Sequence, residues 1–374
     1  MTIIYGLIVL GIIIFIHEAG HCLCSIACGV KVEAFSIGMG PILLHKKIKG
    51  IDWRLSVFPF GGYCAMKGEK DFQDACENGT NIENADKDSL YGTSPVFRAL
   101  IAFSGPAANL LLAFFCFFTI ALTGYSYYAS SNQIRTANEV YEGMKSVAAE
   151  AGIKSGDKII AIDGNEMSDF SQIASYIAAK PKEKINIKIE RNGEILDFTV
   201  LTELDKSSGA GKIGIVNIPE STVKKEAQRY GFFQAIKQAF FETGKLIFLT
   251  LKGITLLFRG VDLTNAVSGP ARITTMLGET VKSGFQAGFR TGLSSVLNFT
   301  ALISISLFIM NLLPIPVLDG SLILFSLIET IFSISIPPKI RMKAQFAGLA
   351  VIAILFVIAM TGDIKYFIGL LNEK

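Results

Sequence analysis

Charge is scarce in this chain. Asp, Glu, Lys and Arg make up 18% of its 374 residues, where soluble domains carry roughly 25%. Hydrophobic residues reach 51%, Phe alone supplies 28, and mean hydropathy is +0.47. This excludes an ordinary soluble domain and favours a polytopic membrane protein with a soluble insert. The net charge of +3 is spread along the sequence, which leaves no basic surface for nucleic acid. Cysteine stops at Cys116, and no C-x-x-C occurs, so a thiolate zinc site and a disulfide framework are both disfavoured. Cys22, Cys24, Cys28, Cys64, Cys76 and Cys116 suit thiols in or beside a reducing compartment, with the polar segment after Tyr125 on the other side. The GAGK at 209–212 lacks the spacing and the Lys-Ser/Thr end of a phosphate-binding loop. Met1–Gly6 holds no Lys or Arg, so the first apolar run does not read as a secretory signal.

Histidine is rarer still, with three in the chain, and two of them stand four residues apart in an apolar run from Ile3 to Val30. The string is His17-Glu18-Ala19-Gly20-His21. Residues i and i+4 share a helix face, so both imidazoles can address one ion. Glu18 lies about 100° round the helix from His17, near enough to hold a water on that ion. H-E-x-x-H supplies two zinc ligands and a general base. Ionisable side chains inside hydrocarbon are costly and functional by default, so the setting strengthens the metal-site reading.

Four spans of about 20 apolar residues are expected: within 1–30, 97–128, 291–336 (broken) and 344–370. The 31–96 loop carries Lys31, Lys46, Lys47, Lys49, Arg54, Lys67 and Lys70, and Lys339, Arg341 and Lys343 precede the last span. The positive-inside rule then puts these connections in the cytoplasm, with the N-terminus, the 125–290 segment and the C-terminus outside. Within the loop, about 51–68 reads as a membrane-associated β-hairpin. Its Gly61-Gly62 supplies either the turn or a close backbone approach, and its edge offers pairing to an extended peptide. Residues 133–204 read as a small α/β barrel: strand 158–162, an Asp163-Gly164 turn, a helix near 170–179, and an Asn192-Gly193 hairpin in alternating sequence. Leu204–Gly214 reads as a linker. The 222–260 stretch, apolar but interrupted by Lys237, Glu242, Lys245 and Lys252, suits an amphipathic helix on the membrane surface better than a fifth span.

A zinc hydrolase wants three protein ligands and an open position. His45, beside three lysines, is a poor third. Asp319 is better, because it is the one charge from Thr291 to Ile328, just after Pro314 and Pro316. Prolines break the span there, and broken backbone is tolerated in a membrane where it lines a buried cavity. Glu329, roughly 15 Å further along a helix, is too far to share the ion. Asn311 suits a hydrogen bond to a substrate backbone, the orientation of Asp319, or simple packing.

HEAGH in the first span, the FPFGGY hairpin, FSGPAAN opening the second span, VSGPARI and NLLPIPVLDG, in that order, resemble the site-2 protease family over nearly the whole chain. The likeness is to its bacterial branch, the regulators of sigma-E protease. It implies a polytopic α-helical membrane protein with four transmembrane helices, an inserted PDZ-like domain at 133–204 and the hairpin. It also implies zinc held by His17, His21 and Asp319, with Glu18 as general base and Gly61, Gly62, Asn311 and Pro314 handling substrate. The implied activity is cleavage within or near transmembrane segments of membrane-anchored proteins, such as anti-sigma factors or remnant signal peptides. The implied place is the inner membrane, with the active site near the cytoplasmic face. One PDZ-like domain stands where some relatives carry two, and Ser321 stands where many have a second glycine. A metal-cation transporter using the same intramembrane ligands is the alternative, but transporters usually show internal repeats, and none is visible.

Overall fold

The computed structural model describes residues 2–78, 85–141, 143–205, 209–257 and 269–372. The chain divides into two compact units. One comprises 1–123, 230–247 and 269–374; the other comprises 124–229 and 248–268.

In the first unit, α1 (Thr2–Ala27) runs into two long strands, β1 (Val32–Ile48) and β2 (Ile51–Met66). They pair antiparallel about a turn at Lys49 and Gly50, both at positive φ. The ribbon doubles back on itself: Ala34–Ile37 is paired both with Asp52–Leu55 and with Gly62–Ala65. Four extended segments therefore lie side by side, with 42–48 and 62–66 at the edges. The hairpin expected at 51–68 is thus the second half of a larger ribbon, and Gly61-Gly62 lies inside β2 rather than at its turn. Close approach explains the glycines. A Cβ on Gly61 would sit 2.6 Å from Met39 Cε, and one on Gly62 would sit 3.2 Å from Cγ of Glu18.

Helix α2 (Glu69–Asn78), which the sequence pattern did not signal, precedes α3 (Pro95–Thr123). The expected second span, 97–128, ends earlier, because Ser126–Ala129 pairs as a strand instead. In the second unit, β3 (Ser126–Ala129), β4 (Ile134–Thr136) and the short helices α4 (Ala137–Val140) and α5 (Val147–Glu150) lead to β5 (Lys158–Ile162) and β6 (Asn165–Glu166). There follow α6 (Phe170–Ala178), β7 (Lys184–Arg191) and β8 (Glu194–Leu201), and the sheet order is β6-β5-β7-β8. Strand β7 alternates as its sequence dictates, burying Ile185, Ile187 and Ile189, each worth about 1.5–3 kcal/mol. Asp163-Gly164 and Asn192-Gly193 both take positive φ at two successive residues, the signature of tight hairpin turns. Leu204–Gly214 is not a plain linker: β9 (Glu203–Leu204) pairs with β10 (Gly211–Lys212), and 206–208 lie outside the described residues. Strands β11 (Ile215–Asn217) and β12 (Val223–Glu226) close back on β4 and β3. This unit therefore extends beyond 133–204 in both directions.

Helix α7 (Phe232–Leu257) begins later than 222, because β12 occupies that stretch. Next come α8 (Pro270–Gln286), α9 (Phe289–Leu312), α10 (Asp319–Phe332) and α11 (Pro338–Asn372). The break between α9 and α10 falls at Pro314 and Pro316, as the ring geometry of proline requires. Among the described residues, four helices are long and apolar enough to cross a membrane: Ile4–Ala27, Pro95–Thr123, Phe289–Leu312 and Pro338–Gly369. The last begins six residues before the expected 344.

Candidate metal centre

Three side chains from two distant stretches of sequence meet. His17 Nε2 lies 3.2 Å from Asp319 Oδ2, His21 Nε2 lies 3.4 Å from Asp319 Oδ1, and the two Nε2 atoms are 3.3 Å apart. Helix α1 puts the histidines on one face. The proline break puts Asp319 at the first turn of α10, where the helix dipole favours a carboxylate.

Helix α3 fixes both rings. The carbonyl of Ile101 lies 2.8 Å from His21 Nδ1. A carbonyl can only accept, so Nδ1 carries the proton and Nε2 presents a lone pair. The side-chain amide of the fully buried Asn109 lies 3.2 Å from His17 Nδ1, and its other polar atom has no partner. Amide oxygen and nitrogen exchange by a flip, so the ring decides. As placed, the amide N–H of Asn109 donates to His17 Nδ1; a flip of the amide lets its oxygen accept from Nδ1–H when Nε2 holds an ion. Gly105 makes room, since a Cβ there would lie 2.2 Å from His21 Nε2; one on Gly20 would lie 2.4 Å from the Ser104 carbonyl. The FSGPAAN string at 103–109 and Ile101 just before it therefore seat the HEAGH rings, a role that sequence reasoning did not assign to Ile101, Gly105 or Asn109.

Two imidazole nitrogens and a carboxylate thus converge with their ligand atoms within 4.8 Å of one another, a candidate cation site. A tetrahedral ion with ligands at about 2.0–2.1 Å separates their atoms by about 3.3 Å. The observed spacings fit zinc, and the N, N, O donor set is one it takes. Glu18, half-buried, leans on Gly62 at the ribbon edge.

His45 is elsewhere: it is an exposed residue of β1, 3.1 Å from Asp52. Asn311 is half-buried in the last turn of α9 and Pro314 is exposed in the connector, and among the described residues neither bonds to the three ligating side chains. Glu329, set aside for its distance along the helix, is buried between Arg98 (2.8 Å) and Arg341. Asp363 of α11 accepts from the backbone N–H groups of Gly269, Ala271 and Arg272, capping α8. That contact explains the glycine of the VSGPARI string, the part of which before 269 lies outside the described residues.

The family model described as peptidase family M50 matches residues 5–355. A protein of Treponema pallidum named "Putative zinc metalloprotease" is 32% identical over 98% of this chain and 99% of its own length. Proteins with that designation from Campylobacter jejuni (33% identical, 97% of this chain, 93% of theirs) and Helicobacter pylori (31%, 96% and 98%) agree. The chain belongs to peptidase family M50, the site-2 proteases, and is a zinc-dependent metalloprotease.

Proposed function

We propose that this chain hydrolyses peptide bonds within or beside the transmembrane segments of membrane-anchored proteins, with His17, His21 and Asp319 holding the zinc and Glu18 handling the proton. The supporting observation is the convergence of His17 Nε2 and His21 Nε2 on Asp319, on helices apolar enough to cross a bilayer. When bound, zinc lowers the pKa of water towards 7 and polarises a carbonyl. Glu18 takes a proton from the attacking water and returns it to the amide nitrogen of the leaving fragment.

A substrate helix hides its carbonyls in i→i−4 bonds and has to unwind before it can be cut. The edge segment 62–66, against which Glu18 sits, receives the unwound strand by main-chain pairing. Gly61 and Gly62 keep that edge free of side chains, and Asn311 and Pro314 border the substrate at the helix break. The ribbon lies at the membrane surface, as does the apolar, lysine-interrupted α7. The positive-inside pattern puts the active site near the cytoplasmic face of the inner membrane. The second unit, with its four-stranded sheet and α6, acts outside as a PDZ-like module that docks partners or filters substrates by size. Anti-sigma factors and remnant signal peptides are the substrate types this arrangement suits. A cation transporter would leave Glu18 without a task, and M50 membership does not favour it.

The test is Glu18→Gln. Cleavage of a membrane-anchored substrate is lost while zinc stays near one per chain. Retained cleavage would refute the assignment, and retained zinc in Asp319→Asn would refute the ligand set.

A further inference from the structure

Asp319 also lines a cavity of about 760 Å³ whose walls are mostly apolar, with Phe72, Leu322, Phe325 and Phe346 prominent. Arg341 is the one cation among its lining residues. The side chain is 4% exposed, and the guanidinium carbon stands 5.6–5.7 Å from the ring centres of Phe72, Tyr91 and Phe325. Glu329 serves both Arg341 and the equally buried Arg98. Glu69 and Asp319 line the same cavity, but among the described residues neither is paired with a guanidinium, so two guanidiniums share Glu329 at contact. Among the described residues, Nε and Nη1 of Arg341 and Nε of Arg98 have no hydrogen-bond partner. A buried cation with open donors is costly, and those donors suit a further anion brought into the cavity.

The reaction makes an anion in the same cavity. Hydrolysis converts a neutral amide into a C-terminal carboxylate beside Asp319. Carrying that charge through apolar walls is far more costly than bringing the amide in, unless a counter-ion receives it. Arginine is the side chain best shaped for a carboxylate, through paired N–H donors. We propose that Arg341 is a binding site for the C-terminal carboxylate of an apolar peptide, the end newly made by cleavage. This rests on the proteolytic reading of the Asp319 site. It adds a product-binding role that none of the metal-site residues fills.

The experiment compares a leucine-rich hexapeptide acid with its C-terminal amide, both fluorescently labelled, for binding to the full-length Glu18→Gln holoenzyme. The same pair is then measured on Glu18→Gln/Arg341→Gln and Glu18→Gln/Arg341→Lys. Zinc also favours the acid, so the readout is the change in acid-to-amide preference between variants. Arg341→Gln leaves Arg98 and Glu329 as a neutral pair and is expected to fold. It should cut the preference by about tenfold or more, while Lys keeps most of it. An unchanged preference in Arg341→Gln overturns the proposal. So does displacement of the acid by phosphatidylglycerol vesicles but not by neutral ones, which would assign the site to lipid headgroups. If the wild-type enzyme fails to cut any anchored substrate but the preference depends on Arg341, the carboxylate site stands and the reading of membrane-anchored proteins as substrates falls.

Discussion

Asn109 offers the most discriminating test of how the metal centre is built. If its amide oxygen accepts from Nδ1–H of His17, then Asn109→Leu, similar in volume, removes the acceptor and little else. In the zinc-free protein the imidazole can shift its proton to Nε2, towards Asp319 at 3.2 Å, so the loss is largely avoided. With zinc held by Nε2 that escape closes, and a buried N–H is left unpaired at about 1–3 kcal/mol. The penalty therefore falls on metal affinity, by about 10–100-fold, the range seen for outer partners of zinc-binding histidines. Asn109→Asp retains the acceptor and should hold zinc at least as well as the parent protein. Competition with a chromogenic chelator measures the affinities, and thermal unfolding of the zinc-free forms controls for packing. A packing residue would behave the opposite way, with Leu tolerated and a buried Asp harmful. That inverted order would refute the tautomer argument.

Two further outcomes follow from the same geometry. Gly105→Ala drives a methyl into the His21 ring, an overpacking of about 1–3 kcal/mol that should appear as weakened zinc binding by the same chelator assay; parent-like affinity would mean the ring has room to move. Burial, aided by Glu18 and Glu33 nearby and opposed by the Met66 backbone N–H, pushes the Glu69 carboxyl up to about 7. A raised carboxyl favours the folded form while protonated, so its contribution is full below about 4.5 and is lost as pH rises through 7. Hydrogen exchange corrected for intrinsic rates should show α2 losing protection over that window, and Glu69→Gln should flatten the trend.

Periodicity and turn chemistry made much of the fold legible before any coordinates. Strand 158–162, the two tight turns and the proline break near 314 follow from local rules, because each depends on neighbours in sequence. What was not legible depends on neighbours in space. Gly61-Gly62 read equally as a turn or as a close approach, and only the position of Met39 and Glu18 decides for the latter. Helix α2 is short and polar overall, with only Phe72 and Ala75 buried among its described side chains, so its period spans too few residues to stand out, and the β9–β10 pair hides in a Ser/Gly-rich stretch. Asn109 could have been suspected, since a polar residue inside the apolar FSGPAAN helix needs a partner, but no spacing rule names His17 as that partner, and no side-chain pattern marks the Ile101 carbonyl.

The same limit separates the carboxylates of the apolar helices. Glu18, Asp319, Glu329 and Asp363 are all expensive in a membrane, and expense alone marks each as functional. Their partners tell them apart. Glu329 meets two guanidiniums and the Ile336 N–H, and Asp363 meets the open amides of a helix start. Both face donors whose protons are fixed, so both are held without anything from outside the chain. Asp319 meets only imidazole nitrogens, and the Ile101 carbonyl has already committed the proton of His21 to the far side of its ring. The three groups lie 3.2–3.4 Å apart, close enough for one ion to take an atom from each. A structural carboxylate is complete in its own hydrogen bonds with fixed donors, and that criterion favours Asp319 over Glu329 and Asp363 as the proposed ligand.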